Sequence, residues 1–353
     1  MNQDNSRRSF LKTAASGALA TGAAPSILGT QKSGSKKLVI GSGDHTYEVH
    51  HDWGELPDRI QYGNTHGIVE DSQGRFYVFH TVHKNSVSTD AMVVFDSKGK
   101  FITSWGSEFA GGAHGLHIQK EGKEEFLYLC DTKRSLVVKT TLDGKVLLTL
   151  GYPKESDFYK LDPDGKPLVK YVPTNLAVAS NGDIFVGDGY GSSYVNQYDK
   201  SGKFIRTFGG GKTKDPGSLN SPHGIFIDKR SGKEELVTAD RSNNRLQYFD
   251  LNGKHLRFVT DDMNLPCHFS FHKDLMMIPD LGARVLILDK SNKVVANLGD
   301  DSKSEWRKTR VQPRETFAAG KFVCPHGGCF DHNGNVFVSE WVEVGRITKL
   351  RKV

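Results

Sequence analysis

The chain has 353 residues, a formal net charge of +6 and 4 cysteines. The charge excess is modest, and its lysines are spread through Gly-Lys turns instead of being clustered with aromatic residues, which argues against a nucleic-acid partner. The spacings of Cys130, Cys267, Cys324 and Cys329 demand no disulfide framework, and no run beyond the N-terminus is long and apolar enough to span a membrane.

The N-terminal stretch Ser6-Arg7-Arg8-Ser9-Phe10-Leu11-Lys12 resembles the twin-arginine translocation motif, and an Ala/Gly-rich apolar run from Thr13 to Leu28 comes after it. Residues 1–34 are therefore read as an export signal and linker, with cleavage expected between Ala23 and Ser35 or retention as an anchor. The protein would leave the cytoplasm already folded and work in the periplasm or outside the cell. Residues 35–353 read as one domain, because a repeated unit runs through them with no linker to interrupt it.

From residue 66 onward one pattern recurs. A small residue or His-Gly leads into an alternating apolar strand, a polar Gly turn, and a second strand ending in Asp or an equivalent. A third strand, a Gly-Lys turn and a fourth strand complete the unit. The first copy reads HGIVEDSQGRFYVFH and AMVVFDSKGKFITSWG, and the fourth HGIFIDKRSGKEELVTAD and RLQYFDLNGKHLRFV. The fifth, CHFSFHKDLMMIPD and RVLILDKSNKVVANLG, is degenerate, and the sixth stops after its third strand at RITKLRK. Four short antiparallel strands in roughly 40–50 residues make a propeller blade. The prediction is an all-β, six-bladed propeller. Its incomplete last blade would be closed by an N-terminal strand near Tyr47–Trp53 pairing beside Arg346–Lys352, which removes an exposed sheet edge. Two longer inserts, Tyr152–Val172 and Asp300–Val323, are expected to lie over one face.

The residue just before each first strand should stand at the mouth of the central channel. The six copies place His66, His114, Thr174, His223, Cys267 and His326 there. Three of these, His114, His223 and His326, belong to alternate blades, a third of a turn apart around a ring of six. Imidazoles at equal height would converge on the axis, and three histidines with an open fourth position make a catalytic zinc-type site. A single His-Gly is better read as a turn cap bonded to a neighbouring blade. Three in alternate blades favour a metal, with zinc expected. His66 breaks the three-fold pattern and is assigned, with His80, His83 and Cys267, to the channel lining.

A second cluster sits on the loops leaving the second strands. Tyr190 follows Asp188-Gly189 in blade three, and Arg241 follows Asp240 in blade four. Tyrosine acts as a base when a nearby cation lowers its pKa, and arginine suits a carboxylate. The aspartates themselves are read as turn residues that the repeat dictates.

Across the mature chain these repeats resemble the NHL class of six-bladed propellers. Within them, DGYGSSYVNQYDKSGKFIRTFG, SPHGI and ADRSNNRLQYF between Val186 and Phe249, with HGL at 114 and PHG at 326, resemble the peptidyl-α-hydroxyglycine α-amidating lyase (peptidylamidoglycolate lyase) family. The resemblance implies zinc on His114, His223 and His326. It also implies Tyr190 assisting proton removal, Arg241 as one of two arginines near the substrate, and cleavage of peptidyl-α-hydroxyglycine to a peptide amide and glyoxylate. Two positions depart from the family pattern. Thr81 follows Phe79-His80 where the family has arginine, so weak activity or a less acidic substrate is expected. Gly327 follows His326 where the family has an aspartate associated with calcium, so calcium is not expected. The sequence leaves a second reading open, a non-catalytic NHL propeller serving as a binding platform. A calcium-dependent lactonase-like propeller ranks last, since that class uses acidic and amide ligands.

Overall fold

The polar Gly stretches close hairpins, as their chemistry requires. At the first of the outer turns Asp96 Oδ1 accepts the N–H groups of Lys98 and Lys100, both at 2.9 Å, and Gly99 takes a left-handed φ of 87°. Between such turns the apolar residues alternate, and the strands pair antiparallel in consecutive order. A computed structural model describes residues 37–353, so the twin-arginine motif and the apolar run after it lie outside the described residues.

Six sheets result, each a four-stranded meander except the last. Their first strands are Thr65–Glu70, Ala113–Glu121, Asn175–Val178, Pro222–Asp228, Ser270–His272 and Pro325–Phe330 for blades one to six. These strands pack against one another at the centre of the ring. Between each pair of neighbouring blades lies one apolar core. Val69, Tyr77 and Met92 of blade one, for example, meet Leu116, Leu127 and Val138 of blade two. Six such interfaces close the ring, so the hydrophobic stabilisation is distributed around it.

The closure falls where the incomplete repeat required it. The N-terminal strand His45–His50 pairs with Arg346–Lys352, placing Tyr47 opposite Lys352 and Val49 opposite Leu350. Trp53 extends the seam, with its N–H on the Ile347 carbonyl at 2.9 Å and its ring edge-on to Phe76 and Phe337 of blades one and six. One strand was not anticipated. Val39–Ser42 pairs outside His45–His50, so this sheet has five strands.

Candidate metal centre and its surroundings

At four blades the first strand carries a β-bulge, and the bulge coincides with the histidine. Register shifts occur between Thr65 and Gly67, Ala113 and Leu116, Pro222 and Ile225, and Pro325 and Gly327. A bulge re-aims one side chain out of the strand's alternation. Here it allows His66, His114, His223 and His326 to gather. The ring centroids of His114, His223 and His326 lie 4.7–4.9 Å apart, and His66 is 4.6 Å from His114 and 4.4 Å from His326.

Each of the three predicted ligands is fixed by the same device. His114 Nδ1 lies 2.6 Å from the Thr174 carbonyl, His223 Nδ1 2.8 Å from that of Cys267, and His326 Nδ1 3.1 Å from that of His66. A carbonyl can only accept, so each Nδ1 carries the proton and each Nε2 presents a lone pair. The acceptor in every case is the residue at the corresponding position of the next blade. The glycine after each histidine is required by the same carbonyl. A Cβ on Gly115, Gly224 or Gly327 would stand 2.5, 2.5 or 2.2 Å from it. The turn-cap reading of His-Gly thus describes Nδ1, and it leaves Nε2 free for other work.

Tyr190 completes the centre. Its hydroxyl lies 3.1 Å from His114 Nε2 and 3.0 Å from His223 Nε2, and Arg241 Nη1 donates to it at 3.3 Å. The phenol has one proton to offer two imidazole lone pairs, while buried His326 Nε2 has no hydrogen-bond partner. Two lone pairs therefore lack a donor, an arrangement that a cation would satisfy. Donor atoms lie within 4.8 Å of one another in two triads, His66–His114–His326 and His223–Cys267–His326. They share His326 and divide the predicted ligands between them: His114 falls in one and His223 in the other, with the Tyr190 hydroxyl bonded to both, so the predicted trio does not itself meet that spacing. Burial drives the imidazoles toward neutrality, the form a metal needs. It pushes His114 down to about 3 and His66, His223 and His326 well below the ordinary range.

Burial also raises the Tyr190 phenol above its ordinary value, with Arg241 working against it. Arginine alone therefore does not make this tyrosine a base. Cys267 is buried and held up at about 11 by the same desolvation, with Arg241 opposing. A cavity of about 560 Å³ opens beside Tyr190, bordered by Lys170, Lys212 and Thr132.

The repeat's carboxylates are structural, as expected of them. Asp240 Oδ1 accepts the N–H of Asn220 at 2.7 Å, and Glu340 Oε1 that of Val323 at 2.7 Å. Each bond anchors the chain three residues before a histidine. In blade three Asp188 accepts the N–H of Val172, two residues before Thr174, at 2.6 Å and also takes the Tyr159 hydroxyl at 2.7 Å. The four cysteines are free and buried, and Cys324 packs with Cys267, Trp306 and Val342.

His80 and His83, also assigned to the channel, differ in their placement. His80 is buried edge-on to Tyr62, and its Nδ1 accepts the Val82 N–H. His83 faces a separate groove with Pro313 and Arg314. Val82 between them takes a left-handed φ of 66°, and the His83 N–H bonds the Gln61 carbonyl. Sequence reasoning missed the bulges, for which the glycine after each histidine is the signal. It also missed Arg310, which no motif marks.

Rat peptidylglycine α-amidating monooxygenase is 27% identical to this chain over 262 residues, covering 67% of the chain and 25% of the rat protein. Peptidyl-α-hydroxyglycine α-amidating lyase 2 of Drosophila melanogaster is 26% identical over 309 residues, covering 80% of the chain and 70% of the fly protein. The chain resembles the amidating lyases. It spans only about a quarter of the length of the rat monooxygenase, and the match to the fly lyase is the more extensive one. No family model matches the chain. Among solved structures, a streptogramin B lyase superposes with a TM-score of 0.57 at 13% identity, covering 86% of this chain and 97% of that one. That likeness concerns the fold. No helix among the described residues is long and apolar enough to cross a membrane.

Proposed function

We propose that this protein is a metal-dependent lyase acting on an α-hydroxyglycine-type or related α-hydroxy-amide substrate, with His114, His223 and His326 holding a divalent ion, zinc by preference. The observation that carries the reading is the convergence of three Nδ1-tethered imidazoles on Tyr190, with more lone pairs than protons to fill them. The similarity to amidating lyases over most of the chain supports it. A bound ion would supply Lewis acidity to the substrate hydroxyl and positive charge beside the phenol.

Tyr190 is the proton acceptor in this scheme. Arg241 donates to its oxygen and stacks over its ring with the guanidinium carbon 5.2 Å from the centroid, which stabilises the phenolate. As the hydroxyl proton passes to Tyr190, the carbonyl forms and the C–N bond breaks with its electron pair on nitrogen. Return of a proton to that nitrogen gives the amide and glyoxylate. Arg241 also offers charge to the substrate carboxylate, and the cavity bordered by Lys170 and Lys212 has room for the acyl side. Export through the twin-arginine route, with the metal loaded beforehand, belongs to the same reading.

The test is glyoxylate release from N-benzoyl-α-hydroxyglycine by the metal-loaded protein. Release that a chelator abolishes and zinc restores is the expected result. Absence of release with the metal bound would favour the binding-platform reading.

A further inference from the structure

Buried arginines in this propeller are paired with carboxylates. Arg230 meets Asp228 at 2.7 Å, Arg245 meets Asp240 at 2.6 Å, Arg284 meets Asp280 at 3.3 Å, and Arg346 meets Glu340. Such pairing is the usual condition for taking a guanidinium out of water. Two half-buried arginines on the face where the second strands end depart from it. Among the described residues, neither Arg241 nor Arg310 forms an ion pair with a carboxylate. Arg241 is spoken for in part by Tyr190. Arg310 has no such role.

Arg310 belongs to the insert between blades five and six, just after the short helix Trp306–Thr309. Its guanidinium carbon lies 3.5 Å from the centroid of Trp341. Nε donates to the Trp341 carbonyl at 3.2 Å and Nη2 to Asn64 Oδ1 at 3.1 Å. No acceptor among the described residues takes Nη1. The head group is thus stacked, held in one plane and left with an unused donor. This is a preorganised arrangement for an outside oxyanion.

Its position in the ring gives that donor a purpose. Thr81, Arg241 and Trp341 each directly follow the last residue of a second strand, in blades one, four and six. Arg310 stacks on Trp341 and bonds Asn64, and Asn64 is tied to Thr81 twice. Its N–H donates to Thr81 Oγ1 at 3.0 Å, and its carbonyl accepts the Thr81 N–H at 3.0 Å. The guanidinium therefore stands in the gap between blades six and one, beside Thr81, at the level that Arg241 occupies in blade four. Blades one and four face each other across a ring of six. Asn64 is also two residues from His66, and Trp341 is bonded through its N–H to the carbonyl of Cys324, two residues from His326. The two unpaired cations flank the histidine cluster from different sides.

We propose that Arg310 is a substrate-binding residue that, alongside Arg241, holds the carboxylate of a glycine-type substrate, supplying from the insert the charge that Thr81 lacks. The assignment rests on the lyase reading for the identity of the carboxylate. It revises the expectation of a less acidic substrate, since the cation is present but comes from another part of the chain.

Binding of unreactive probes separates the two ideas. The metal-loaded full chain is titrated calorimetrically with N-benzoylglycine and with its neutral counterpart N-benzoylglycinamide. The wild type should prefer the carboxylate. Arg310→Met should weaken N-benzoylglycine by about 10- to 100-fold, the range for a hydrogen bond to a charged group, and leave the amide unchanged. Arg310→Lys should fall between, and adding Thr81→Arg to Arg310→Met should recover part of the loss. Equal binding of N-benzoylglycine by wild type and Arg310→Met would overturn the assignment, as would a wild type that does not distinguish the two probes. Dependence of carboxylate binding on Arg310 without any glyoxylate release would retire the lyase reading and leave the assignment standing. Loss of both probes in Arg310→Met, with an unchanged melting temperature, would also count against it, because a carboxylate partner must discriminate.

Discussion

The imidazole of His326 donates through Nδ1 to the backbone carbonyl of His66, 3.1 Å away, and so ties the last blade to the first. The same bond recurs from His114 to Thr174 and from His223 to Cys267. One hydrogen bond thereby does two things. It joins neighbouring blades at the axis, and it fixes the tautomer that turns Nε2 toward the centre.

Gly224 makes this contact possible, since a Cβ there would lie 2.5 Å from the Cys267 carbonyl and 2.8 Å from the His268 Cα. Both neighbours are backbone and cannot step aside cheaply. Gly224→Ala is expected to destabilise the fold by about 1–3 kcal/mol in urea titration. Bound metal should fall with it, because the His223 ring loses its anchor.

Elemental analysis of the folded protein should find about one equivalent of a divalent metal. His223→Ala would remove one of the proposed ligands and strand the Cys267 carbonyl, and metal content should drop at least several-fold. A full equivalent retained in His223→Ala would show that the ion, if present, sits elsewhere.

Tyr190→Phe removes one hydroxyl that meets two imidazoles and an arginine. Glyoxylate release should fall by about 10²–10⁴-fold, the usual contribution of a positioned acid–base group, while metal content stays at the wild-type level. Unchanged turnover would remove Tyr190 from the mechanism.

Glu340 is fully buried, forms an ion pair with Arg346 and accepts the Val323 N–H. Glu340→Ala leaves a buried guanidinium without its partner and should cost about 3–5 kcal/mol. Arg346→Met paired with Glu340→Met should recover much of that loss in a denaturation series, because the charge that required compensation is gone.

The metal-free protein should lose stability as the pH falls below about 6.5. Burial lowers His80 and His268 to about 3 and His117 to about 4. Their folded pKa values lie below the unfolded one, so the unfolded chain binds more protons and stability falls as pH drops from about 6.5 toward 4. Each contributes up to about 1.4 kcal/mol per pH unit. Asp188 and Asp280 act in the opposite sense, because burial raises both to about 6. Their contribution declines as pH rises from about 4 to 6, but the buried histidines outnumber them. The urea midpoint should therefore be lower at pH 5 than at pH 7.5, and an unchanged midpoint would contradict the burial argument.

The blades, their number, the closing strand and the gathering of His114, His223 and His326 follow from the sequence, because all of these express one local unit repeated in chain order. Period-2 alternation fixes strands, Asp and Gly fix turns, and a ring of six fixes which units face one another. The tertiary structure decided what no local pattern encodes. The Nδ1 partners are backbone carbonyls of other blades, which carry no side-chain signature. The bulges depend on how closely two inner strands approach. The short strand Val39–Ser42 pairs beyond the closing strand, at the edge of the repeat's reach. Arg310 reaches the gap between blades six and one from an insert outside the repeated unit, and only the folded chain brings it beside Asn64, 246 residues away. Repetition makes a fold legible from sequence. A guanidinium supplied from outside the repeat becomes visible only when the ring is closed.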